Sequence, residues 1–391
     1  MLYNNFKDKK LSKLGLGGMR FPVKDGQLDQ DIAEKIIEKS MELGINYYDT
    51  AYSYQGGISE LILSKTLAKY PRESYNFATK FPGHQIAETY YPAPIFENQL
   101  KKTKLEYFDF YLLHNIYENC YDVYMDPKWN ILEYFLKQKE KGLIKHFGIS
   151  THARSDLFTT ILKEFGEHIE FCQIELNYLD WTMQDAKYKC ELLKEYNIPI
   201  WVMEPLKGAQ LLKLNDKSKE IMAQKHPDWS PAEWAFRYLM NMSDVKMILS
   251  GMASVSIVEE NCGIFSEEKP FDKEDNKILM TVAESLKDNV PCTKCGYCRR
   301  VCPQELNIPL LMEQYNEMRY APSNTVAMLM ESIPVEKRPE ACLKCGMCKR
   351  ECPQFIDIPT CLEDLTKKLS TIPSWAEICK QRLIDAKKMQ G

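Results

Sequence analysis

Two runs of cysteine stand out in the chain. Cys292, Cys295, Cys298 and Cys302 are followed by Cys342, Cys345, Cys348 and Cys352, each run spaced C-x2-C-x2-C-x3-C and closed by a proline, Pro303 or Pro353. Thiolates are soft ligands that suit zinc and iron–sulfur chemistry, and Gly296 and Gly346 allow the tight turns that such ligand loops need. A second set of chemically able residues lies upstream. Asp49, Tyr54, Lys80 and His114 each stand at or just beyond the end of an apolar segment. A carboxylate, a phenol, an ammonium and an imidazole in one place could hold and move a proton.

The elements that must position these residues are legible from periodicity. Short apolar segments at 13–16, 46–49, 76–79, 108–113, 144–149, 171–176, 199–203 and 245–249 alternate with amphipathic helical stretches. That alternation predicts strand–helix units and a parallel sheet. Between the first two segments, Ile32, Ile36, Ile37 and Met41 form an apolar stripe behind Asp29 or Asp31 as helix cap. Eight such units over about 250 residues favour a (β/α)8 barrel, whose chemistry belongs at the C-terminal strand ends. An open doubly wound sheet has similar periodicity, but Gly15, Gly17 and Gly18 do not match GxGxxG.

The segment 265–277, FSEEKPFDKEDNK, is charged and holds a proline, which marks a boundary. The expected organisation is therefore an α/β TIM barrel over residues 1–265 and a mainly α-helical domain over 266–391. The second domain contains a repeat, PCTKCGYCRRVCPQELNIP returning as ACLKCGMCKRECPQFIDIP. The repeated run resembles the bacterial two-cluster ferredoxin spacing, in which the fourth cysteine serves the other cluster. The resemblance implies two [4Fe-4S] clusters, one on Cys292, Cys295, Cys298 and Cys352, the other on Cys342, Cys345, Cys348 and Cys302. Paired zinc sites are the alternative use of such cysteines, but they leave the prolines and the duplicated run without a reason. The remaining cysteines, Cys120, Cys172, Cys190, Cys262, Cys361 and Cys379, read as ordinary buried thiols.

The runs INYYDTAYSYQGGISE, NFATKF and DFYLLHN resemble the aldo/keto reductase family over roughly residues 11–262. The resemblance implies that Tyr54 is the general acid, that Lys80 lowers its pKa, that Asp49 pairs with Lys80 and that His114 orients a substrate carbonyl. It further implies a nicotinamide cofactor. Ser150 and Gln173 stand where the family binds the carboxamide, and Met203 where many members carry a stacking aromatic ring. Gly18, Met19 and Arg20 match the first loop, Pro205, Leu206 and Gly208 the loop over the pyrophosphate, and Ser250, Gly251, Met252, Glu260 and Asn261 the adenosine end. Phosphate-reading members carry Lys and Arg where this chain has Gly251 and Ile257, so the resemblance leans toward NADH over NADPH.

Composition bounds the partners. The 391 residues are 45% hydrophobic and 27% charged, with a formal net charge of -4, which predicts a soluble protein without the basic footprint of nucleic-acid binding. No apolar run approaches the roughly 20 residues of a membrane span, and the polar opening residues 1–10 lack a signal pattern. The expectation is a cytoplasmic oxidoreductase that acts on a small carbonyl or alcohol, with ferredoxin or another electron carrier as partner. An ordinary nicotinamide reductase with structural or oxygen-sensing clusters, and an electron-transfer protein with a non-catalytic barrel, are the alternatives.

Overall fold

The computed structural model describes residues 1–24, 27–85, 87–118, 120–212, 214, 216–286, 290, 292, 297–320, 324–352 and 356–390. Cys295, Gly296 and Pro353 lie outside the described residues. Two compact units are present, one of Met1–Leu279 with Arg382–Gly391, the other of Met280–Gln381. The charged segment 265–277 is thus not where the units part. The helix Lys273–Leu286 is tied to the first unit at its start, where Asp275 accepts from His226 at 2.8 Å and Leu279 is fully buried.

Eight parallel strands close into a barrel in sequence order. They are β1 (Leu14–Gly17), β2 (Tyr47–Asp49), β3 (Asn76–Phe81), β4 (Phe108–Ile116), β5 (Ile144–Thr151), β6 (Cys172–Glu175), β7 (Ile200–Met203) and β8 (Val245–Ser250). Closure runs through β8 and β1, with Leu249 paired to Gly15. Every residue of β3 and β4 is buried, because a barrel strand faces side-chain core on one side and helices on the other. An antiparallel hairpin, Tyr3–Phe6 with Lys9–Ser12, precedes the barrel. Its Phe6 and Leu11 join Tyr47, Phe110, Phe171, Trp201 and Met247 in the interior cluster. Phe6 meets Trp201 edge-on at 4.8 Å between ring centroids. Each such ring contributes about 1.5–3 kcal/mol by burial.

Helix α1 (Gln30–Glu42) starts where Asp29 accepts from Ile32 N. Its buried face is Ala33, Ile36, Ile37 and Ser40, while Ile32 is 38% exposed. The face is turned from the apolar stripe because small residues allow close approach, and Ser40 Oγ is satisfied by Ile37 O at 2.7 Å and Tyr48 Oη at 3.1 Å.

The second unit is helical. The helices Ile308–Tyr320 and Ile358–Leu369 carry a core of Leu311, Met312, Met318, Leu362 and Leu365, into which Cys298 and Cys348 are built. Gly346, at φ +75°, caps the short helix Met347–Arg350 that presents Cys348, so the tight turn expected there is a left-handed one that glycine permits.

Candidate active site and cysteine cluster sites

Tyr54 is held by a turn that few sequences make. Gln55, Gly56 and Gly57 all have positive φ, at 50°, 68° and 90°, and Gln55 is tied down by its Nε2 donating to Phe21 O at 2.8 Å. The turn leads into helix α2 (Ile58–Leu67) and leaves the phenol at the C-terminal end of β2 and β3. Tyr54 Oη lies 3.4 Å from His114 Nε2, and the Lys80 ammonium lies 5.0 Å from the Tyr54 ring centroid. Lys80 Nζ donates to Asp49 Oδ1 at 2.6 Å and to Thr50 O at 2.8 Å, with Lys80 fully buried. The four residues read from successive strand ends therefore converge in one place.

Their electrostatics follow from burial. The buried Lys80 ammonium is opposed by desolvation, but Asp49 and then Tyr54 outweigh it and hold Lys80 above the ordinary lysine range. Burial raises the Asp49 carboxyl, with Lys80 pulling against the rise. Burial also pushes the Tyr54 phenol up. Lys80 pulls it back, yet the net direction is upward, not the net lowering expected from Lys80 alone. Desolvation of a phenolate exceeds one cation's attraction here. His114 is depressed well below the usual histidine range by burial first, then by His84 and Lys80, so it is a neutral imidazole at physiological pH.

Several supports gave no sequence signal. His84, in the loop after β3, is buried and packs edge-on against His114 at 4.2 Å between centroids. Burial, then Arg382 and His152, lower His84 to about 3. Tyr124, in the short helix Tyr121–Met125 after β4, donates to His114 O at 2.8 Å. Behind Lys80, Gln99 Nε2 donates to Lys80 O at 3.2 Å and to the buried Glu60 at 2.8 Å, and Tyr111 donates to Gln99 at 2.6 Å. Such contacts depend on elements distant in sequence folding back.

The residues expected around a nicotinamide cofactor fall into two groups. Arg20, Pro205, Leu206, Gly208, Ser250, Gly251, Glu260 and Asn261 line one cavity of about 490 Å³. Ser150, Gln173 and Met203 lie on adjacent strands nearer the tetrad, Gln173 in register with Ser150 and its Nε2 3.7 Å from Met203 Sδ. Gln173 Oε1 is buried and has no hydrogen-bond partner among the described residues. Outside both groups, Met19 is 46% exposed and Met252 is buried. Gly18 packs tightly, since a Cβ there would approach Ser59 Oγ to 2.5 Å. Arg20 Nη2 pairs with Glu204 Oε1 at 2.6 Å beside the cavity.

In the second unit, Cys302, Cys342, Cys345 and Cys348 line a single cavity with Pro303, Leu306 and Leu362. The last cysteine of the first run therefore stands with three of the second. Among the described residues no three His, Cys, Asp or Glu side chains converge as ligands of one ion. Of the unassigned cysteines, Cys120, Cys172, Cys262, Cys361 and Cys379 are buried and Cys190 partly so.

Fold and site together define a barrel oxidoreductase joined to an iron–sulfur domain. The aldo/keto reductase family pattern matches residues 13–284, and a 4Fe-4S dicluster domain matches residues 291–356. The chain belongs to the aldo/keto reductase family. It is 25% identical to L-galactose dehydrogenase of Arabidopsis thaliana, over 71% of this chain and 92% of that one. It is 23% identical to the NADH-specific methylglyoxal reductase of Escherichia coli, over 72% and 97%. Among solved structures, the holo form of an aldo-keto reductase from Bacillus halodurans superposes with a TM-score of 0.59 at 23% identity, covering 72% of this chain and 96% of that one. A Klebsiella pneumoniae aldo-keto reductase in complex with NADPH gives 0.57 at 17%, with the same coverage. No helix among the described residues is long and apolar enough to cross a membrane.

Proposed function

We propose that this oxidoreductase interconverts a small carbonyl compound and its alcohol with a nicotinamide cofactor, in the cytoplasm, and that two [4Fe-4S] clusters relay electrons to or from ferredoxin or a similar carrier. The observation that carries the reading is the convergence of Tyr54 and His114 in front of the buried Lys80–Asp49 pair. The residues present suit the cofactor. The orphaned Gln173 Oε1 would accept a carboxamide N–H, with Ser150 beside it, and the cavity between Arg20 and Asn261 would take the adenosine end. When bound, the reduced nicotinamide supplies a hydride.

The chain's own residues handle the charge that then appears on the carbonyl oxygen. Tyr54 Oη, kept protonated by its raised pKa, donates a hydrogen bond and then the proton. His114, a neutral imidazole, donates from Nε2 to the same oxygen and so fixes its direction. Lys80 steadies the phenolate that Tyr54 leaves behind, and Asp49 keeps Lys80 charged. NADH is the preferred form. Among the described residues Arg20 is the cation lining the cavity and is already paired with Glu204, with Glu260 nearby, so a 2'-phosphate would be poorly compensated.

The cysteines suit clusters. Four thiols around one cavity, drawn from both runs, suit a cluster shared across the repeat. The test is anaerobic NADH-linked turnover of small aldehydes by wild type, Tyr54→Phe and Cys298→Ala. The reading expects Tyr54→Phe to lose about 100-fold or more in rate while still binding NADH by fluorescence titration. Full NADH-driven turnover in Cys298→Ala with its cluster lost would remove the relay from the reaction.

A further inference from the structure

The loop after β7 has a side chain that the proposed reaction does not use. Glu204, Pro205, Leu206, Gly208 and Ala209 line the cavity described above, but Lys207 does not. Its side chain turns away and is only 7% exposed. There, Lys207 Nζ sits 2.9 Å from Asp180 Oδ1 and 3.5 Å from Glu175 Oε1. Asp180 is fully buried and is held in turn by Asn177, whose Nδ2 reaches Asp180 Oδ2 at 2.5 Å and Glu204 O at 3.0 Å. Glu175 also meets His152 Nδ1 at 3.3 Å. Burial works against the Glu175 carboxylate, but Lys207 and His152 outweigh it and hold it well below the usual range.

The loop needs such an anchor. Glu204, Lys207 and Ala209 have φ of 54°, 44° and 70°, a left-handed region that residues with a Cβ enter at a cost. Three such residues within six positions would not hold this shape unaided. The anchoring point is the one member of the loop whose side chain enters the barrel wall and not the cavity.

We infer that Lys207 is a latch: its buried pairing with Asp180 and Glu175 holds the 204–209 loop in the shape that closes over the pyrophosphate of a bound dinucleotide. Lys207 is a positioning residue, touching the ligand only through the loop backbone. This inference rests on the nicotinamide reading above. A loop closed only a tenth of the time weakens apparent affinity about tenfold, and that is the expected size of the effect.

The experiment is NADH titration by fluorescence and stopped-flow release on the full-length holoprotein, for wild type, Lys207→Met, Lys207→Arg and the double variant Lys207→Met/Asp180→Asn. The double variant removes both charges together and so guards against a fold broken by an unpaired carboxylate, which thermal melting checks. The latch expects at least about tenfold weaker NADH binding and faster release in both Met variants, with Lys207→Arg within about threefold of wild type and kcat at saturating NADH little changed. If wild type binds NADH and folded Met variants bind it within about threefold of wild type, the latch is refuted while the cofactor reading stands. If wild type does not bind NADH, the cofactor reading fails and the latch falls with it.

Discussion

Replacing Asp49 by Asn keeps the shape of the side chain and removes its charge, which isolates what the Asp49–Lys80 pair does. In the structure the two groups are 2.6 Å apart, with side-chain exposures of 0% for Lys80 and 4% for Asp49. Breaking a buried pair from one side leaves an uncompensated charge and costs about 3–5 kcal/mol of stability. Asp49→Asn should lose that much, because Thr50 O can satisfy one Lys80 proton but not its charge. Lys80→Met added to Asp49→Asn removes the second charge and should recover most of the loss. Activity should not follow. Without the ammonium, the phenolate of Tyr54 is unsupported, and the double variant should turn over about 100-fold slower or worse. Denaturant unfolding followed by tryptophan fluorescence, with Trp201 and Trp234 fully buried in the barrel unit, reads stability, and NADH oxidation with a small aldehyde reads activity. A single variant within 1 kcal/mol of wild type, or a double variant no more stable than the single one, would refute the electrostatic account. Near-normal turnover in the double variant would refute the role given to Lys80.

Two further outcomes follow from the same geometry. His114 and His84 are held below the usual histidine range and Tyr54 above the usual tyrosine range, so kcat/KM for carbonyl reduction should show no limb near pH 6.5 and should fall on the alkaline side only above about pH 10. The His84 shift also bears on stability. Its folded value is lowered from 6.5 to about 3, so the unfolded chain takes up a proton that the folded one refuses. The melting temperature should therefore fall as pH drops from 6.5 toward 3, and His84→Gln should flatten that fall. For the clusters, Cys302→Ser and Cys345→Ser should each lower bound iron by about half and leave one non-interacting reduced cluster by EPR, and the double variant should lose no more iron than either single one, as expected if the two residues serve the same cluster. A double variant that binds almost no iron would break the cross-run pairing.

All eight barrel strands were legible, because a strand buried on both faces reads as an apolar run that turn residues interrupt. Their ends moved by one to three residues. β4 runs on to Ile116 past the expected end at Leu113, where a register shift and Asn115 at φ +58° turn His114 toward the site. The polar strand ends carried the tetrad for the same reason, since a charged residue closing an apolar run must have a partner. What stayed hidden was lateral. Tyr124 grips His114 from the short helix Tyr121–Met125, and Lys207 grips Asp180 across 27 residues of sequence. No local pattern marks a loop lysine that will be buried. The parting of the two units falls at Leu279 and not at 265 for a related reason, since the acidic start of Lys273–Leu286 reads as linker until Asp275 finds His226.

Burial acts first on each of the four groups in the candidate site, and the protonation states that result agree with one another. Burial leads in raising Tyr54 and in lowering His114, where His84 and Lys80 add to it, and both are left neutral and able to donate a hydrogen bond at physiological pH. The one resident cation among the four, Lys80, is matched by Asp49. Under the proposed reading, the four residues at rest carry no net charge facing a neutral carbonyl, and would bind it without strong preference. Once negative charge develops on the oxygen, both donors strengthen and the ammonium gains a phenolate to stabilise. The stabilisation is thus concentrated in the transition state, where it accelerates the reaction, and not in the ground state, where it would only tighten binding. A site with a protonated His114 would lose that difference by attracting any anion that entered. This is why the depression of His114 by burial, and by His84 packed against it, belongs to the proposed chemistry as much as the tetrad itself.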